Sequence, residues 1–472
     1  MKPGVFAPVR RERLPFHIEP EQIFEELFAH ETHAFWLDAG VSEKGTSYLG
    51  TASPTRPGVQ VLDGALRLVT PDGTTDASDD LVDLVRSGLA RPGLAHSDEV
   101  PEGIPLGWVG WFGYEFGARA VGAPTARSPF PDVALIPADS VVEYDHESGA
   151  LSLWFFDDET GRAWAAAAGA RLAEISRRGA RQDESQAAPV AASDRPGTPQ
   201  WRHSDTEYLH LIERCQQAIT EGDAYQLCLT NAVSLSTREA PFDVYRRLRR
   251  ESPAPYGGYL RFGDVALLSS SPELFLSVRD GVAITSPVKG TARRVPQADD
   301  DARARDALAH DEKERAENLM IVDLMRNDLS RVARLGGVQV SALLEVETHR
   351  HVHQLVSTVE ARLTDGVDAL DVLAACFPAG SMTGVPKLSA MGILHELECG
   401  PRGVYSGCFG RLALDGSAEF AMVIRSIVMT GGRAVIGTGG GITALSVPER
   451  ELAEIKLKAA ALLAALRVHD GL

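Results

Sequence analysis

Paired carboxylates recur in two segments whose apolar spacing is helical. In 310–329 (HDEKERAENLMIVDLMRNDL), Glu314 and Glu317 stand at i and i+3 and so share a helix face, bordering the apolar run 319–324. In 446–458 (SVPERELAEIKLK), Glu451, Glu454 and Lys458 stand at i, i+3 and i+7 and again share a face. Two inward pairs from separate helices would form an oxygen-rich site for a hard cation. Mg²⁺ is the expected one, keeping waters and bridging to an anionic substrate. Taken alone, the E-x-x-E spacing equally describes a solvated helix face. No His/Cys cluster competes for a softer metal. His349, His351 and His353 alternate along the strand-like THRHVHQLVSTV, a pattern of solvent-facing or hydrogen-bonded core histidines more than of a zinc site.

Lysine is scarce: seven of the 47 basic residues, the rest being arginine. Arginine effectively cannot be deprotonated, whereas lysine can become a nucleophile. Lys289, in GVAITSPVKGTARR, follows an apolar strand and precedes Gly290 and Thr291. An amine at such a strand end would open to a pocket yet be shielded by its neighbours, which lowers its pKa toward nucleophilic use. An ordinary snorkelling lysine at a turn fits the same spacing. Close upstream, SSSPELFL sets Glu273 in a small-residue turn between two apolar strands, where desolvation would keep a general acid protonated near neutral pH. The run Gly437, Gly439, Gly440 and Gly441 lets backbone approach a ligand, with amides available to an anion.

These groups must be positioned by a mixed set of elements. Before residue 179, short apolar runs alternate with turn signals (AFWLDAG, VQVLDGALRLV, LGWVGWFGYEFG, ALSLWFFDD), predicting antiparallel strands with helices near 20–30, 79–90 and 160–178. Residues 179–200 are polar and Ala/Pro-rich and read as a linker or long surface loop. Beyond it, helices are predicted at 205–221, 299–329, 369–376, 386–398 and 446–468. Ser204 or Asp205 opens the first, and Ser446 with Glu449 and Pro448 opens the last. Strands are predicted at 225–235, 257–262, 265–270, 274–279, 282–288, 404–414, 418–429 and 433–438. Strands and helices do not alternate strictly, so the expected class is α+β with large antiparallel sheets, divided into 1–178, the linker and 201–472.

Composition narrows the function. With 47 basic and 65 acidic residues the net charge is −18, which excludes a broad nucleic-acid footprint. Five cysteines without a C-x-x-C pair describe reduced thiols, and no apolar stretch is long enough to span a membrane. A soluble, cytoplasmic protein is expected.

The stretches SSSPELFL (269–276), SPVKGTARR (286–294), RAENLMIVDLMRNDL (315–329), FPAGSMTGVPK (377–387), VYSGCFGRL (404–412), FAMVIRSIV (420–428) and GTGGGITALSVPERE (437–451) together resemble the chorismate-utilising enzymes. They follow that family's order and cover most of 205–468. FWLDAG (35–40) and LGWVGWFGYEFG (106–117) resemble its amino-terminal region. The resemblance implies the family's sandwich of antiparallel sheets with helices outside, and chorismate as substrate. It implies Glu317 and Glu454 as Mg²⁺ ligands, with Glu314 and Glu451 on carboxylates of the same site. Arg425, Lys458, Gly440 and Gly441 would hold substrate carboxylates, and Tyr405, Gly290 and Thr291 would line the pocket.

Three positions separate the family's branches. Lys289 stands where anthranilate synthases usually carry alanine and aminodeoxychorismate synthases carry lysine. Gln226 (DAYQLCLTN) stands where isochorismate and salicylate synthases use lysine to activate water, and glutamine suits ammonia instead. Gln354 stands where anthranilate synthases carry a histidine associated with pyruvate release, although His353 is adjacent. All three resemble the aminodeoxychorismate synthase branch. Anthranilate synthase component I is the nearest alternative, ahead of water-using branches or a non-catalytic chorismate-binding subunit. None of the five cysteines has the G-x-C-x-G context of the family's glutamine amidotransferase partners, so a separate subunit is expected to deliver ammonia.

Overall fold

The computed structural model describes residues 7–40, 44–70, 73–89, 103–179, 196–349 and 352–468. Most of the expected linker, 180–195, and His351 lie outside the described residues. Among those described, the strands form two twelve-stranded sheets, and every pairing is antiparallel. Period-2 apolar runs explain this, since each inward side chain finds an apolar partner on the facing sheet. Phe35, Leu260, Leu267 and Val428 from one sheet pack with Val109, Trp111, Phe409 and Ala421 from the other. Helices cover the outer faces. Pro20–Leu27, Glu159–Gly179, Pro241–Glu251 and Pro448–Ala465 lie on the first sheet, and Leu81–Leu89, Glu312–Ser330 and Ala369–Cys376 on the second. The architecture is the expected α+β sandwich.

Strands from before residue 179 and after 200 interleave in both sheets. His33–Asp38 pairs with Tyr256–Phe262, and Gly107–Phe112 pairs with Cys408–Ala413.

Several local expectations are corrected. The helix expected over 299–329 is two, Ala298–His310 and Glu312–Ser330. Asp311 between them is extended (ψ 114°), and its carboxylate accepts the Glu314 N–H at 2.9 Å, capping the second helix. Ser446 does not cap the last helix. Its hydroxyl accepts the Thr443 N–H at 3.1 Å, and Pro448 opens the helix. The run 418–429 is not one strand but two in different sheets, Ala418–Met422 and Ser426–Thr430. Between them the chain crosses from sheet to sheet, with Arg425 in the left-handed region (φ 51°). The run 404–414 forms strand only at Cys408–Ala413, and LGWVGWFGYEFG ends as the helix Tyr114–Ala120.

Candidate active site

One large cleft of about 1820 Å³ opens between the sheets. Fourteen of the fifteen residues singled out above line it: Lys289, Gly290, Thr291, Glu273, Glu314, Glu317, Gln354, Tyr405, Arg425, Gly440, Gly441, Glu451, Glu454 and Lys458. Gln226 does not. It is 1% exposed, packed under Gly441, where an added Cβ would lie 2.4 Å from its Nε2 and 3.0 Å from Glu317 Oε2. Its Oε1 has no hydrogen-bond partner among the described residues.

Lys289 is not at a strand end. The strand Val282–Thr285 stops, and Lys289 lies inside the next, Val288–Arg293, at a bulge where Val288 opposes Val356 but Thr291 opposes Gln354. A bulge re-aims side chains, and here it depends on Gly290. That residue has φ 82°, and a Cβ there would meet Leu308 at 2.8 Å and Glu314 at 3.2 Å. The Lys289 ammonium makes no ion pair among the described residues. Its pKa shift has the opposite sign to the one expected. Desolvation pulls the amine down, but the Glu317, Glu273 and Glu314 carboxylates push it up further, so it is charged.

Glu273 behaves as expected. It lies in the turn between Val265–Ser271 and Leu274–Arg279 and is buried, accepting the Ser381 hydroxyl at 2.9 Å. Burial pushes its pKa up to about 7, against Lys289 and the Ser381 bond.

The four glutamates project from Glu312–Ser330 and Pro448–Ala465, as their spacing required. Burial and the neighbouring Glu317 raise Glu314 to about 7, and burial raises Glu317 as well. Glu454 lies below the usual range: burial raises it, but Lys458, which donates to its carboxylate at 2.7 Å, lowers it further. Lys458 also donates to the Gly439 carbonyl at 2.9 Å. Lys313 bridges the helices, 2.6 Å from Glu451 Oε1 and 3.6 Å from Glu317 Oε1. No three acidic, histidine or cysteine side chains among the described residues close around one point. The donor set nevertheless fits a hard divalent cation. It is all carboxylate oxygen, the neighbouring glutamates push Glu314 and Glu317 upward, and Gly440 and Gly441 leave the space in which a Cβ would meet Glu451 and Glu317 at 3.4 and 3.0 Å.

The glycine run lies in the strand Arg433–Ile442, which continues four residues past the predicted end at 438. Gly439, Gly440 and Gly441 pair with Thr230, Leu229 and Cys228. The strand on its other side pairs only as far as Ile436, leaving that edge over 437–442 without a strand partner among the described residues. Gly437 is required by the Tyr405 ring, which an added Cβ would strike at 2.1 Å. Burial raises the Tyr405 hydroxyl and lowers Arg425.

The histidines divide. His353 is 2% exposed and bonds Asp301 and Thr348 at 3.1 and 2.9 Å, whereas its neighbour Gln354 lines the cleft, as strand alternation requires. His353 therefore cannot substitute at the Gln354 position. His349 lines the cleft too, 3.4 Å from Glu347.

A family model described as chorismate binding enzyme matches residues 69–464. The chain belongs to the chorismate-binding enzyme family. It is 42% identical over 462 residues to an aminodeoxychorismate synthase of Streptomyces griseus, an alignment covering 95% of this chain but 63% of that protein. It is 38% identical to anthranilate synthase component 1 of Streptomyces coelicolor, covering 80% of this chain and 76% of that one. The crystal structure of anthranilate synthase component I from Streptococcus pneumoniae superposes with a TM-score of 0.74 at 28% identity, covering 96% of this chain and 99% of that one.

Sequence reasoning missed two residues that line the cleft, Ser381 and Lys313, and one buried ion pair close to it. Ser381 carried no signal beyond its place in FPAGSMTGVPK. Lys313 sits in a dense charge run that reads as a solvated face. Arg402 and Glu398 form a buried pair beneath the cleft, visible only once the strands are assembled. No helix among the described residues is long and apolar enough to cross a membrane.

Proposed function

We propose that this chorismate-binding enzyme is the aminating component of an aminodeoxychorismate synthase. It would convert chorismate and ammonia to 4-amino-4-deoxychorismate, the precursor of para-aminobenzoate and folate. The observation that carries this reading is Lys289: its ammonium has no ion-pair partner among the described residues and stands in a carboxylate-lined cleft that Gln354, not His353, faces.

Mg²⁺, bound by Glu317 and Glu454 with Glu314 and Glu451 beside them, would neutralise and grip a substrate carboxylate. Arg425, Lys458 and the open edge at Gly440 and Gly441 would orient the rest of the dianion between Tyr405, Gly290 and Thr291. Lys289 carries a proton that it must lose before attack. Glu273, within Coulombic reach and near pKa 7, takes that proton and passes it to the ring hydroxyl, which leaves as water. The Lys289 nitrogen bonds to the ring. Ammonia then adds at the carbon that bore the hydroxyl, and the carbon–lysine bond breaks. The new ammonium returns one proton to the released amine, closing the cycle. Covalent catalysis thus splits one same-site substitution into two allylic ones.

Ammonia would come from a separate glutamine amidotransferase subunit in a cytoplasmic complex, so the chain alone should work with ammonium salts. Purified protein given chorismate, Mg²⁺ and ammonium should yield para-aminobenzoate only when an aminodeoxychorismate lyase is added. Lys289→Ala should lower that rate at least about 10³-fold. His349 in the cleft favours the anthranilate reading. Fluorescent anthranilate and pyruvate formed without the lyase would establish it and overturn ours.

A further inference from the structure

Among the described residues, Lys313 is the one cation within ion-pair distance of carboxylates on both glutamate-bearing helices. It rises from Glu312–Ser330, lies 2.6 Å from Glu451 and 3.6 Å from Glu317, and makes the one hydrogen bond that joins the two helices among the described residues. Glu451 and Glu317 are buried, 2% and 5% exposed, while the lysine side chain is part-exposed, at 29%. A divalent cation and an ammonium held by the same oxygens exclude each other by charge and by space.

We propose that Lys313 is a tethered counter-ion that occupies the interhelical carboxylate site when no metal is bound, and that Mg²⁺ must displace it. Metal affinity is then set by a competition built into the chain. This rests on the reading of the four glutamates as the Mg²⁺ site. The tether has a structural use as well: without it, four carboxylates project from two helices with, among the described residues, only Lys458 in direct contact with one of them.

The test is Mg²⁺ alone, titrated calorimetrically into substrate-free protein. Lys313→Met should bind Mg²⁺ about tenfold more tightly than the unaltered chain, consistent with losing one competing charge. Lys313→Arg, which keeps the charge, should stay within about twofold. Should Lys313→Met fold poorly, Lys313→Gln serves. Its thermal midpoint should fall in EDTA and be raised by Mg²⁺ more than the unaltered chain's. An unchanged or weaker affinity in the Met and Gln variants would overturn the competition while leaving the metal site standing. Absence of Mg²⁺ binding in every protein, unaltered chain included, would remove the metal reading itself and the competition with it.

Discussion

Two charge clusters, one bonded to the backbone of the strand Gln226–Ser236 and one in the cleft, are built to opposite specifications. In the first, Arg402 and Glu398 meet through two hydrogen bonds of 2.6 and 2.8 Å. The other guanidinium donors go to the carbonyls of Met382 and Cys228 at 2.6 and 2.9 Å and to the Ser406 hydroxyl at 3.5 Å, and Glu398 also accepts the Thr230 N–H at 3.0 Å. The Tyr114 ring lies 4.4 Å under the guanidinium. In the cleft, by contrast, Lys289 has no ion pair among the described residues, and Glu314 and Glu317 are pushed upward in pKa. The closed cluster satisfies its charges internally and staples the cleft floor. The open one is short of partners, which is what a site awaiting a charged ligand requires.

The comparison breaks most severely at Arg402. Arg402→Ala leaves Glu398 buried and unpaired and should cost about 3–5 kcal/mol of folding stability, read from denaturant midpoints. A loss of less than about 1 kcal/mol would mean that the cluster is not closed. Next is Glu273→Gln, which keeps an acceptor for Ser381 but cannot relay a proton. It should lower turnover about 10²–10⁴-fold while leaving the fold at least as stable. An equal loss in stability would make Glu273 a structural residue like Glu398.

The smallest effect is in pH. Glu273 is held at about 7, above its ordinary value of 4.5, so the folded protein binds this proton more tightly than the unfolded chain does. Its contribution is complete below about 4.5 and lost as pH rises through about 7. The stability of Glu273→Gln relative to the unaltered chain should therefore grow between about pH 5 and pH 8, as urea midpoints would show. A gap that shrinks over that range would refute the upward shift.

Much of the site was legible because it obeys a period. Glu314 with Glu317 and Glu451 with Glu454 share helix faces whatever the tertiary structure, and Gln354 and His353 must part because strand neighbours point apart. Glu273 was legible as a carboxylate between apolar strands. Lys289 stood out by type, but its charge state depends on carboxylates from two other segments, and its aim depends on a bulge that no local spacing reveals. Lys313 was hidden by its acidic neighbours. The fold class followed from alternation. The crossing at Arg425 did not, because nine of the twelve residues in 418–429 are apolar and the run reads as one continuous strand. Helix Pro241–Glu251 was missed for the converse reason: four of its eleven residues are arginines, which hide the buried face of Phe242, Val244, Tyr245 and Leu248.

The interleaving of early and late strands has a consequence for how this molecule could be divided. Severing the chain between 179 and 200 would not free two self-sufficient bodies. It would strip Tyr256–Phe262 and Cys408–Ala413 of neighbours and bare their backbone to any passing strand. Whatever shape the half that carries the cleft holds, it borrows from a segment of which, among the described residues, Lys44 alone lines that cleft.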